Sequence, residues 1–257
     1  MEKEALQYTE YTEYPCHLSR LEWIYDTIEK MRIPNQTVEV LDVGAGTGNV
    51  TIPLGLIKDS HILGIDIHQP TLDIAIAANK LPNVEFKFEY LQDSPLKGKK
   101  FIILTEVLEH IDIYPEILKY IADNADKDMQ LLITVPNGRG PFEIAMQPLY
   151  LMRKMGLNNF ILKVKSVLGK KEPYSQNYET PHVNFFTVPR MRKELKPLGM
   201  KVSEVRKAYV LAPIVETYLP FIPLNTISKI DQKLANALPV WLASGFYFRI
   251  EFDNNSL

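Results

Sequence analysis

The stretch VLDVGAGTGNV, Val40 to Val50, closes an apolar, strand-like pattern with an acidic residue and three glycines at alternate positions: Asp42, Gly44, Gly46 and Gly48. Glycine permits positive φ and close approach of the backbone, so three of them in so short a turn imply a ligand lying directly on the main chain. A β-rich run feeding such a turn, followed by a helix expected over 49–57, is the start of a nucleotide-binding α/β unit.

The glycine register separates one cofactor class from another. A dinucleotide fingerprint needs G-x-G-x-x-G, whose third glycine lets a helix N-terminus meet a pyrophosphate. Here residue 49 is Asn, the third glycine falls one residue early, and Asp42 would repel a phosphate. A carboxylate in that place suits a cationic ligand. The string resembles the first motif of class I S-adenosylmethionine-dependent methyltransferases, E/D-x-G-x-G-x-G, at all four positions. The resemblance implies a Rossmann-like, seven-stranded, mostly parallel sheet with S-adenosylmethionine as cofactor. It also implies that Gly44, Ala45, Gly46 and Gly48 lie against the methionine part of the cofactor, with Asp42 helping to hold its ammonium group.

Periodicity outward from this loop gives an alternating order. Apolar residues at helical spacing (Leu18, Leu21, Ile24, Ile28), stopped by Pro34, predict a helix over 15–31. Strands are expected at 38–43, 61–66, 84–89, 101–105 and 129–135. Helices are expected at 49–57, at 70–79 with Pro70 in its first turn, and at 107–125 with an interruption open at Pro115. Strands separated by helices make a doubly wound α/β sheet. A helix at 187–196 and strands at 200–205 and 246–252 would close it. The expected organisation is one domain over 1–257: a helical lid over 1–36, a cofactor core over 37–135, a basic and apolar insertion over 136–186, and sheet closure over 187–257 with an apolar insertion at 208–244.

The second strand ends GIDIHQP, which places Asp66 and Ile67 at the same edge as the glycine loop. A carboxylate there can accept from both ribose hydroxyls, the role that the resemblance also implies, while capping of the helix near Pro70 is the structural alternative. After the third strand, FKFEYLQDSPL has Tyr90 where the resembled family often has Asp. Adenine recognition is therefore expected from backbone near Tyr90 and Leu91, with Asp93 as an alternative.

The fourth strand runs into FIILTEVLEHI, with Glu106, Glu109 and His110 at i, i+3 and i+4, on one face if the segment is helical. Three readings fit. His110 is a general base oriented by a carboxylate, the group binds a divalent metal, or Glu109 and His110 merely shape the pocket. The E-x-x-E-H string resembles the metal-associated motif of ubiquinone-biosynthesis and small-RNA O-methyltransferases; in the small-RNA enzymes a later histidine joins the set, and His182 is its candidate here.

A net charge of −2 argues against wholesale nucleic-acid binding, and one cysteine, Cys16, excludes an internal disulfide framework. The acidic start MEKEALQYTE lacks signal-peptide character, so a cytoplasmic setting is expected. Between Ile144 and Lys171 there are six basic residues and no acidic one, interleaved with apolar residues. That character fits a peripheral membrane surface, an anionic and partly apolar substrate, or a solvated lid. The apolar 208–244 insertion, with Tyr218, Phe221 and Trp241, would wall an acceptor site, lean on a membrane or form a dimer contact. Tyr8, Tyr11 and Tyr14 are candidates for a cover over the cofactor, and Cys16 and His17 read as structural. Since an alcohol or phenol benefits from a base or metal, the Glu and His cluster favours methyl transfer to a hydroxyl on a small or lipid-linked acceptor. A non-catalytic binding module is the alternative, and the glycine register opposes a nicotinamide enzyme.

Overall fold

Seven strands form one sheet in the order β3-β2-β1-β4-β5-β7-β6. The computed structural model describes residues 15–140, 144, 151–152, 155–157, 183–211, 231 and 233–253. Strands β1 (Val38–Val43), β2 (Ser60–Asp66), β3 (Val84–Phe88), β4 (Phe101–Thr105) and β5 (Gln130–Pro136) are mutually parallel. Strand β7 (Gly245–Phe252) inserts antiparallel between β5 and β6 (Met200–Lys207). The expected doubly wound sheet is present, and every parallel strand ends at the edge that carries the glycine loop.

Alternation along the central strands sends side chains into two cores, as the pleat requires. Leu41, Ile102, Leu104, Leu131 and Ile133 pack towards α4 (Tyr114–Asn124) and α5 (Val188–Leu195). On the other face, Val40, Ile62, Ile103 and Leu132 meet α1 (Pro15–Met31). Of the segment 1–36 expected as a helical lid, α1 packs as a layer of the core: Leu21, Ile24 and Ile28 are fully buried, and the Trp23 ring lies tilted, 5.4 Å between centroids, against Tyr247. Residues 1–14, with the three tyrosines, lie outside the described residues.

Two helices differ from expectation for local reasons. The helix expected over 49–57 shrinks to α2 (Thr51–Leu54), continued by i to i+3 turns, because it holds two β-branched residues and a proline that donates no bond. The helix expected over 107–125 splits. A 3-10 turn at Leu108–His110 precedes α4, which begins with Pro115 in its first turn, a place where the missing N–H costs nothing. The helix α3 (Gln69–Ala78) and the remaining strands fall within two residues of their expected bounds. Most of the 136–186 insertion and the 212–230 part of the C-terminal insertion lie outside the described residues. Among the described residues, no helix is long and apolar enough to cross a membrane.

Candidate active site

Four loops meet at the carboxyl edge of β1 to β4. In the first, Gly44, Gly46 and Gly48 adopt φ of 77°, 54° and 78°, all left-handed. The N–H groups of Gly44 and Ala45 both donate to the Ile65 carbonyl, at 2.9 and 3.0 Å, which ties the loop to β2. A Cβ on Gly44 would stand 2.6 Å from Val107 Cγ2, and one on Gly48 would stand 2.9 Å from Phe86 Cζ. A Cβ on Gly46 would meet nothing within 4 Å. Packing therefore demands glycine at 44 and 48, whereas 46 faces a hollow.

Two carboxylates flank the hollow. Asp66 accepts from the N–H of Gly46 at 2.7 Å through Oδ2 and from the N–H of His68 at 2.8 Å through Oδ1. It holds the loop in shape and keeps unused lone pairs for hydroxyls; a side-chain cap on α3 is not among its contacts. Asp42 is buried, and its Oδ2 accepts from the Thr51 hydroxyl at 2.6 Å. Its Oδ1 has no hydrogen-bond partner among the described residues. Burial, with a smaller push from Asp66 and against the Thr51 bond, raises its pKa to about 6. An orphaned buried carboxylate oxygen beside an open glycine is what a cationic amine fits, so the residues match the sulfonium amino-acid cofactor that the motif implies.

The adenine side is open and apolar. Ile67 and Tyr90 are 58% and 55% exposed although both sit in the loop edge, while Leu91 points into the core. Glu89 is taken locally, accepting from the Ser94 hydroxyl at 2.8 Å.

The fourth loop departs most from expectation. Glu106, Glu109 and His110 do not share a helical face, because Glu106 has a φ of 54° and the other two lie in the 3-10 turn. Glu106 accepts from the Thr134 hydroxyl at 3.0 Å and lies 3.6 Å from Arg20 Nη1. Glu109 is fully buried, with Oε1 3.9 Å from His110 Nε2. Its carbonyl accepts from the N–H groups of Val183 and Asn184, and the Asn184 amide donates to Leu108 and Ile111. Among the described residues no three His, Cys, Asp or Glu side chains converge as metal ligands. His182 lies outside the described residues, so the metal set expected from Glu106, Glu109, His110 and His182 is not assembled by the three that are seen, and no step is assigned to a metal.

Helix α1 brings Arg20, which the sequence did not mark, and His17, which read as structural. His17 hydrogen-bonds the backbone of Asn49; burial first, then Arg20, pulls its pKa down to about 3, against that bond, so it is neutral. Arg20 keeps its charge above the ordinary value: burial opposes it, and Glu106 leads the groups that outweigh burial. The Arg20 Nε is buried without a hydrogen-bond partner among the described residues. Only the helical periodicity of α1 could have hinted that one of its ends faces a loop.

The comparisons agree with this geometry. A family described as "Methyltransferase domain" matches residues 17–205, most of the chain. A ubiquinone biosynthesis O-methyltransferase of Rickettsia canadensis is 24% identical over 192 residues, covering 73% of this chain and 72% of the relative. A putative sarcosine dimethylglycine methyltransferase of Galdieria sulphuraria superposes with a TM-score of 0.58 at 14% identity, covering 92% of this chain and 85% of the other. A magnesium protoporphyrin IX methyltransferase of Synechocystis, solved with S-adenosylhomocysteine, gives 0.55 at 13% identity over 93% and 84% of the chains. At such identities the structures speak for the fold alone.

Proposed function

The chain belongs to the methyltransferase-domain family, as a class I S-adenosylmethionine-dependent enzyme, and from that premise we propose that it methylates a hydroxyl oxygen on a small or lipid-linked acceptor. The observation that carries the oxygen assignment is the buried Glu109 beside His110, two residues past the Val107 that packs on the glycine loop. A carboxylate held there orients an imidazole, and imidazole titrates near working pH.

The cofactor, when bound, supplies a methyl on a cationic sulfur that is open to in-line displacement. The chain's own residues do the rest. Gly44 to Gly48 receive the amino-acid part on bare backbone, Asp42 Oδ1 accepts from its ammonium, and the Arg20 guanidinium takes its carboxylate. Asp66 accepts from the ribose hydroxyls, while Ile67 and Tyr90 cover the base, with backbone near Leu91 for its edge. The His110 imidazole takes the proton from the acceptor hydroxyl, and Glu109, on the Nε2 side of the ring, supports the charge that develops there.

A lipid-linked acceptor and a peripheral membrane contact rest on the basic run over 144–171, which falls largely outside the described residues, and on Trp241. That ring is 63% exposed while its carbonyl accepts from the Asn137 amide at 2.9 Å, next to the end of β5. A small apolar wall thus stands beside the carboxyl edge.

Calorimetry with S-adenosylhomocysteine, followed by transfer of labelled methyl to cell extracts, tests the reading. We expect micromolar binding and a labelled product stable to conditions that cleave esters. Binding without product from any extract would favour the non-catalytic module instead. The His110→Ala variant should lose turnover by about 100-fold or more while its cofactor affinity stays near that of the parent. Undiminished turnover would remove His110 from the reaction.

A further inference from the structure

Glu106 entered as a member of the candidate catalytic or metal-binding cluster, yet its surroundings describe a different task. It stands directly after β4 with a φ of 54°, a left-handed backbone that L side chains rarely adopt and that only a fold-imposed demand sustains. The amide of that strained residue donates to the Thr134 carbonyl at 3.0 Å, and its Oε1 accepts from the Thr134 hydroxyl at the same distance. Strand β5 therefore grips Glu106 by both main chain and side chain. The oxygen so fixed is the one that lies 3.6 Å from Arg20 Nη1.

The partner on α1 is incomplete. The Arg20 Nη1 edge is turned to the Glu106 carboxylate, and its buried Nε has no hydrogen-bond partner among the described residues. A guanidinium offers five donors in a rigid fork, so one edge can be anchored while another receives a second anion. The neighbouring His17 bonds the backbone of Asn49, which sets this stretch of α1 against the end of the glycine loop. Val107, next in sequence to Glu106, packs on Gly44. The anchored arginine thus stands at the amino-acid end of the hollow, where Asp42 presents the complementary negative charge.

We infer that Glu106 is a positioning residue for cofactor binding: strained into place by β5, it holds Arg20 so that the guanidinium receives the carboxylate of the cofactor's amino-acid part. The inference rests on the cofactor reading above and removes Glu106 from the reacting groups. It makes the site a zwitterion clamp, with Asp42 for the ammonium and the Glu106-held Arg20 for the carboxylate.

Two ligands that differ only at that end provide the test. S-adenosylhomocysteine carries the amino acid, whereas 5′-methylthioadenosine lacks it. Calorimetry on Glu106→Gln should show affinity for the first about tenfold weaker and for the second within twofold of the parent, and Arg20→Met should behave alike. The Glu106→Gly variant adds a reading that a merely structural role would not give: relief of the left-handed strain keeps the melting temperature at or above that of the parent, while S-adenosylhomocysteine affinity still falls about tenfold. Equal losses for both ligands, or an unchanged affinity for the homocysteine compound, would overturn the inference. A parent protein that binds neither ligand would instead overturn the cofactor reading from which it starts.

Discussion

Replacing Asp42 with Asn is expected to stabilise the ligand-free protein near neutral pH, by roughly 3–6 °C in Tm, and at the same time to weaken S-adenosylhomocysteine binding at least about tenfold. The cause lies in a buried carboxyl whose pKa stands at about 6 in the folded chain, chiefly from burial. In an unfolded chain the same group titrates near 4, so above pH 6 the native state carries an ionised group that it would rather keep protonated, at a cost of about 3 kcal/mol. The sign follows from a raised carboxyl: the penalty is absent below pH ~4, grows between pH ~4 and ~6, and is complete above that. Asparagine keeps an oxygen for the Thr51 hydroxyl and carries no charge, though its buried amide returns about 1–2 kcal/mol of the gain. The variant should therefore melt a few degrees below the parent at pH 4, where only the cost of the buried amide remains, and climb above it as pH rises past about 6. Scanning calorimetry across that range, with and without ligand, checks both halves. A variant that is less stable than the parent at every pH, or that binds the ligand undiminished, would show that Asp42 is a packing group and not a cation receptor.

The frame of the sheet was legible because the signals that make it are local. The bounds of β1 and β4 follow from short apolar runs bounded by polar residues, and α1 from four apolar residues at helical spacing with Pro34 beyond them. The glycine loop and Asp66 were legible for the same reason: each is a strand end whose residue types have few other uses. What was misread depends on contacts between distant segments. Nothing in the string TEVLEHI says that Glu106 takes a left-handed φ, because the demand comes from β5 through Thr134. The turn at Leu108–His110 is short because residues Val183 and Asn184, more than seventy positions later, satisfy its carbonyls in place of a helical ladder. Likewise Arg20 and His17 reach the site through the docking angle of α1, which sequence periodicity does not encode. The residues whose placement the sequence foretells are those whose own backbone forms the edge of the sheet, and those it does not place arrive from the layer above it.

The sharpest separation between fold and function is expected from two alanines placed two residues apart. At Gly46 a Cβ would meet no protein atom within 4 Å, so Gly46→Ala costs only the left-handed strain at a φ of 54°, about 1 kcal/mol, and lowers Tm by a few degrees. The added methyl projects into the hollow, where the ligand is to lie on bare peptide. S-adenosylhomocysteine affinity should drop by about 100-fold, since a methyl pressed against a close backbone contact removes the contact and the Asp42 bond beyond it. At Gly48 the balance reverses. A Cβ there would stand 2.9 Å from Phe86 Cζ and 3.0 Å from Ile52 Cδ1, so overpacking adds to strain and Gly48→Ala costs about 2–4 kcal/mol of stability. With roughly 2–4 °C per kcal/mol for a chain of this size, its Tm should fall by on the order of 10 °C. Ligand added in excess should recover much of that loss for Gly48→Ala, because its hollow remains, and almost none for Gly46→Ala. Thermal shift measured at rising ligand concentration distinguishes the two, and a Gly46→Ala protein that gains as much as the parent would mean that no ligand rests on that residue.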